Sequence, residues 1–154
     1  MTASARSVTA EKADESTLLA YPQRYLDSWG QRDISVALDV ISPEIRWFDP
    51  SLPEPLVDTE GARLFYESTW QGFPDITFQP VGSPIVDLDR GLVAHEWRFT
   101  GTHTGEGFPP GVPPTGKSFD VPGMDVFRVD ANGRAVEIHA YWDVLNLMTQ
   151  LGLA

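Results

Sequence analysis

The chain has 154 residues, a formal net charge of -11 and no cysteine, so it is long enough for one domain with a real core and too short for two. Its acidity leaves no basic face to neutralise phosphate, which argues against nucleic acid and anionic membrane as partners. The lack of cysteine removes disulfides, thiol nucleophiles and thiolate metal sites, and fits the cytoplasm without requiring it.

Residues 1–16 are small, polar and charged, lack the apolar stretch of a signal peptide, and read as a disordered arm. A single pocket domain is expected over residues 17–154. Leu18, Tyr21, Tyr25 and Trp29 recur at helical spacing and predict a helix over roughly 19–30, starting late because Pro22 is tolerated only in a first turn. Asp33 is placed to cap a short helix over Ile34 to Ile41. From Glu44 the period changes to two, with Ile45, Trp47 and Asp49 on one face of a strand that Pro50 ends. A proline-rich loop over 51–58 leads to a helix capped by Thr59, carrying Ala62, Phe65, Tyr66 and Trp70 and closed by Gly72 and Pro74.

Long strands follow over 76–86, 91–103, 117–129 and 134–142, separated by Asp-Arg-Gly, a Gly/Pro loop and Ala-Asn-Gly. A last helix starts after Asp143, a natural N-cap. Helices first and antiparallel strands after predict an α+β domain, in which a curved mixed or antiparallel sheet wraps the N-terminal helices as a cone with one open end.

Strand parity puts Asp125 on a face with Val121, Phe127 and Val129, so Asp125 and Asp49 are both carboxylates within apolar stripes. Buried there, either would have a raised pKa suited to a general base or to a neutral donor. At a strand end, each would merely accept backbone hydrogen bonds or meet solvent. Trp47, Tyr66, Trp97, Phe127 and Trp142 are candidate substrate-binding walls for a flat hydrophobic ligand, and equally candidates for ordinary core. The loop from Gly105 to Gly116, bearing Phe108, is either a lid or a plain connection. His95, His103 and His139 lie on separate segments without compact ligand spacing, so neither a metal site nor a cofactor is expected. Glu96 and Glu137 read as solvent-facing strand residues.

The run Gln23-Arg24-Tyr25, the Asp49-Pro50 step, the Phe65-Tyr66 pair and the Asp125-x-Phe127-Arg128 strand resemble the ketosteroid isomerases. That resemblance implies the nuclear transport factor two-like fold. It also implies Asp49 as the base that moves a proton beside a carbonyl, with Tyr25 and a protonated Asp125 as donors to the enolate and Tyr66 supporting Tyr25. From Gly91 onward the chain is similar to the SnoaL-like polyketide cyclases, on Gly101-Thr102-His103-Thr104-Gly105, Pro113-Pro114-Thr115-Gly116-Lys117 and Gln150-Leu151-Gly152-Leu153. Those cyclases close rings by an intramolecular aldol reaction.

The resemblance has departures. The catalytic aspartate of the cyclases, and one of two in the limonene epoxide hydrolases, falls on Ala140. The cyclases' pocket histidine falls on Asp125, and the hydrolases' Arg and Asp pair has no counterpart around Trp97 and Arg98. Together the resemblances imply a SnoaL-like cyclase or isomerase of a small hydrophobic carbonyl compound, polyketide or steroid-like, that works by cofactor-free proton transfer. A homodimer is expected of such a fold. Two other readings stand beside it: epoxide opening by Asp49 and Asp125, and a non-catalytic ligand-binding or dimerisation module.

Overall fold

In the computed structural model, which describes residues 11–154, four helices and five strands follow one another along the chain. Helix α1 spans Glu15–Gly30, α2 Ile34–Asp39, β1 Ile41–Phe48 and α3 Thr59–Gly72. They are followed by β2 Thr77–Asp87, β3 Leu92–Thr102, β4 Ser118–Val129, β5 Ala135–Trp142 and α4 Val144–Gln150.

Helix α1 starts earlier than the apolar spacing predicts, because the Asp14 carboxylate accepts from the Thr17 backbone N–H and caps it there. Pro22 consequently sits inside the helix, a placement that costs ~3 kcal/mol in isolation. The buried stripe of Leu18, Tyr21, Tyr25 and Trp29 supplies the compensating packing. Residues 1–10 of the expected arm lie outside the described residues. Its remainder is tied to the sheet: Ala13, 4% exposed, donates to the Val129 carbonyl at 3.2 Å, and the Lys12 backbone pairs antiparallel with that of Asp130.

Three other boundaries differ from the pattern-based expectation. Helix α2 is capped by Asp33 as anticipated but ends at Asp39, since Ile41 pairs with Ala135 and sheet pairing claims the apolar residues that the helical pattern had included. Strand β1 therefore begins at Ile41 rather than Glu44. Helix α3 is capped by Asp58, whose carboxylate accepts from the Gly61 N–H at 2.7 Å, so Thr59 is its first helical residue. Asp143 caps α4, accepting from Asn146 N–H at 3.0 Å.

The strands form one sheet in the order β1-β5-β4-β3-β2, with β1 parallel to β5 and every other pairing antiparallel. Its inner face carries Trp47, Val93, Trp97, Phe99, Val121, Phe127 and Ile138, all at most 5% exposed. Phe127 meets Tyr21 and Tyr25 of α1 at ring distances of 4.9 and 4.7 Å, while Trp47 meets Phe65 and Tyr66 of α3 at 5.3 and 5.7 Å. The unclosed, curved sheet thus wraps the helices and leaves one end open. Among the described residues no helix is long and apolar enough to cross a membrane.

Candidate active site

Three elements deliver polar groups to one apolar cavity. Helix α1 supplies Tyr25, the exit of β1 supplies Asp49, and the middle of β4 supplies Asp125; Trp29, Trp97 and Trp142 stand among them. The cavity encloses about 40 Å³, and the unfilled space reaches about 430 Å³ only when open solvent at its mouth is counted.

Asp49 follows the last residue of β1, where the chain turns through Pro50. Its Oδ1 accepts from the Ser51 backbone N–H at 2.8 Å and the Ser51 hydroxyl at 2.6 Å, the local hydrogen bonding of an Asx turn. Its Oδ2 accepts from the Trp142 indole N–H at 3.2 Å, across from the end of β5. Burial pushes the Asp49 carboxyl above the usual carboxylate range, and the Ser51 and Trp142 bonds pull it back.

Asp125 is 2% exposed and has one side-chain hydrogen bond among the described residues, from the Trp97 indole N–H to Oδ2 at 2.9 Å. Burial holds its carboxyl well above the ordinary range, the indole lowers it, and the nearby Asp49 charge raises it again. One acid is thus hydrogen-bonded three times, and its neighbour once in a drier place. The environments push the two apart in acidity, Asp125 further up than Asp49. Burial likewise keeps the Tyr25 phenol protonated far above its usual range.

The other expected residues divide. Trp97 and Trp142 line the cavity; Trp47, Tyr66 and Phe127 do not, because they sit deeper, filling the seam between sheet and helices. The expected support of the Tyr25 hydroxyl by Tyr66 is replaced by a different arrangement. The Tyr66 hydroxyl pairs with Ser28 Oγ at 2.8 Å, and Ser28 donates to the Tyr25 backbone carbonyl. Ala140 lies directly across from Asp125 in the β4–β5 register, so a third carboxylate is missing from the place where the cyclase aspartate was expected.

The histidines do not converge. His95 meets the Gly82 carbonyl at 3.0 Å, His103 Nδ1 accepts from the Thr115 N–H at 3.1 Å, and His139 pairs with Glu137 at 3.1 Å while stacking on Phe48 at 4.5 Å. Among the described residues no three His, Asp or Glu side chains are grouped to hold a metal ion.

Phe108 closes one side of the cavity and packs on Phe73 at 5.6 Å. Its loop is laid on the end of α3, where Thr104 and Gly105 N–H both donate to the Gly72 carbonyl at 3.2 Å. A Cβ on Gly72 would come within 2.7 Å of the Phe108 carbonyl oxygen, so glycine is needed for this approach. Trp29 and Phe65 also line the cavity, although the helical stripes to which they belong read simply as core. Ser51 was missed too; the Asp-x-Ser spacing of a turn was its signal.

The family model for SnoaL-like polyketide cyclase matches residues 20–151. None of the curated proteins matches the chain. Among solved structures, TsrD from Streptomyces laurentii is 21% identical, with a TM-score of 0.76 over 93% of this chain and 100% of that one. A candidate SnoaL-like polyketide cyclase from Jannaschia sp. CCS1 is 24% identical, with a TM-score of 0.77 over 95% of this chain and 99% of its own. Wild-type IdmH, a candidate polyketide cyclase from Streptomyces antibioticus, is 28% identical, with a TM-score of 0.68 over 86% of this chain and 96% of its own.

Proposed function

The chain belongs to the SnoaL-like polyketide cyclase family, and from that premise we propose that it isomerises or cyclises a small hydrophobic carbonyl compound, with Asp49 as the proton-transferring base. The observation that carries this reading is the pair of carboxyl groups in one apolar cavity, one held by three hydrogen bonds and the other by one.

In this reading the substrate carbonyl oxygen lies against the Tyr25 hydroxyl and the neutral Asp125. Asp49 Oδ2 removes a proton from the adjacent carbon, the C–H electron pair becomes the enolate double bond, and negative charge collects on the oxygen. Donors aimed at that oxygen in a water-poor site stabilise it more than water would. The enolate then takes the proton back from Asp49 at another carbon, which is isomerisation. Alternatively, its carbon attacks a second carbonyl and the new alkoxide takes the proton, which is aldol closure. With Ala140 opposite Asp125, Asp49 is the group that returns the proton in either case.

Cavity size favours a modest substrate. An enclosed volume of about 40 Å³ lies far below the roughly 300–1,000 Å³ of ligand pockets, so a ligand must be small and must push back the aromatic walls or reach into the mouth, which suits one or two rings better than the four of a steroid. The two-ring ketone 2-tetralone is a suitable probe, because its α-hydrogens exchange with D₂O only through the enol or enolate. The wild-type protein is expected to accelerate that exchange, and Asp49→Asn to lose about 10²–10⁴-fold of the acceleration while still binding the ketone. Binding without acceleration by the wild type would refute the enzyme reading and leave a ligand-binding module.

A further inference from the structure

The sequence presented Trp97 as a cavity wall, and the family resemblance attached no role to it. Its surroundings give it one. Trp97 pairs directly with Gly123 across β3 and β4, and Asp125 is the next residue of β4 on the same face. A Cβ on Gly123 would come within 2.3 Å of the Trp97 ring, so the indole lies against the strand only because that position is glycine. On its other side Phe78 packs edge-on at 5.1 Å. The ring is thus fixed in a slot that carries Nε1 along β4 to Asp125 Oδ2, at 2.9 Å.

An indole N–H donates and cannot accept. Facing a neutral carboxylic acid, it pairs best with the carbonyl oxygen, because the hydroxyl oxygen is the weaker acceptor. That assigns the two oxygens of Asp125 different tasks. We propose that Trp97, seated by Gly123, is a positioning residue that makes Oδ2 the carbonyl oxygen of Asp125 and leaves the proton on Oδ1, available to a ligand oxygen in the cavity. The proposal rests on the reading of Asp125 as a neutral donor. It adds what orients that donor: a free carboxylic acid rotates and can present either oxygen, whereas this one presents its O–H in one direction. Preorganised donors of this kind need no reorientation when charge develops on the substrate.

Infrared spectroscopy of the whole protein labelled with ¹³C-carboxyl aspartate tests this without a substrate. At neutral pH the wild type should show a C=O stretch from one neutral carboxyl group, absent in Asp125→Asn. In Trp97→Phe that band should persist and move to higher wavenumber, because the carbonyl has lost its donor. Gly123→Ala should move it the same way by pushing the indole aside, and serves if Trp97→Phe does not fold. In the wild-type fold, the ¹⁵N-indole proton resonance assigned to Trp97 should shift when Asp125 is replaced by Asn. A band that stays in place in folded Trp97→Phe and Gly123→Ala overturns the positioning role while leaving Asp125 neutral. Absence of any neutral-carboxyl band in the wild type overturns the neutral-donor reading itself, and the positioning role with it.

Discussion

At the scale of single residues, the site depends on how differently two aspartates are solvated. Asp49 keeps three donors and Asp125 keeps one, so burial dominates at Asp125. Ser51→Ala removes the hydroxyl bond to Asp49 Oδ1 and favours the protonated form. The acid limb of the rate profile should then move to higher pH, read as α-proton exchange against pH, with the plateau little changed. Asp125 has a pKa raised by folding, so its contribution to stability is fully present below the unfolded carboxyl value and is lost as pH rises through the folded one. Asp125→Asn should consequently raise Tm at neutral pH, by roughly 2–8 °C, with no gain near pH 3, measured by thermal melts across pH. Asp49 and Asp125 were visible as carboxylates in apolar stripes, because strand parity is written in the sequence. Their indole donors were not, since Trp97 and Trp142 reach them over 28 and 93 positions of chain and no local pattern records such pairings.

At the scale of elements, the strands were legible almost to their ends, and the errors fell where capping or pairing overrode apolar spacing. Asp14 extended α1 past Pro22, Asp58 took the cap expected of Thr59, and pairing with Ala135 drew Ile41 out of a helix into β1. The loop after β3 was ambiguous because its glycines permit either a lid or a connection. Its role as one wall of the cavity depends on the contact of Phe108 with the end of α3. Phe108→Ala should enlarge the cavity, at a cost of about 3–5 kcal/mol, and improve binding of ketones bulkier than 2-tetralone. Gly72→Ala should lift the loop instead, destabilising by roughly 1–3 kcal/mol while leaving Phe108 intact. Chemical denaturation and ligand titration of the two variants separate these effects; unchanged ligand size preference in both would mean that the loop does not bound the site.

Across the whole molecule, the order of helices before strands predicted an α+β sheet wrapped around helices, and the sheet does so with β1 added at one edge, parallel to β5. That placement brings the end of β1, and so Asp49, beside Trp142 and within electrostatic reach of Asp125. Trp47, Tyr66 and Phe127 lie outside the cavity lining for a reason of geometry: a stripe of aromatics on an inner face is shared between core and cavity, and depth along the cone decides which. Ala140, onto which the family resemblance placed the cyclase aspartate, faces Asp125 in the register and carries no ionisable group. In the proposed mechanism Asp49 works as a base while Asp125 remains protonated in the same cavity. The pH dependence of enzyme-catalysed α-proton exchange from 2-tetralone in D₂O tests it most directly. A base at Asp49 beside a protonated Asp125 should give a rate that rises through an Asp49 pKa above the usual carboxylate range, holds a plateau, and falls when Asp125 ionises, with the rising limb abolished in Asp49→Asn. A rate that climbs with hydroxide concentration alone, identical in the wild type and Asp49→Asn, would contradict it.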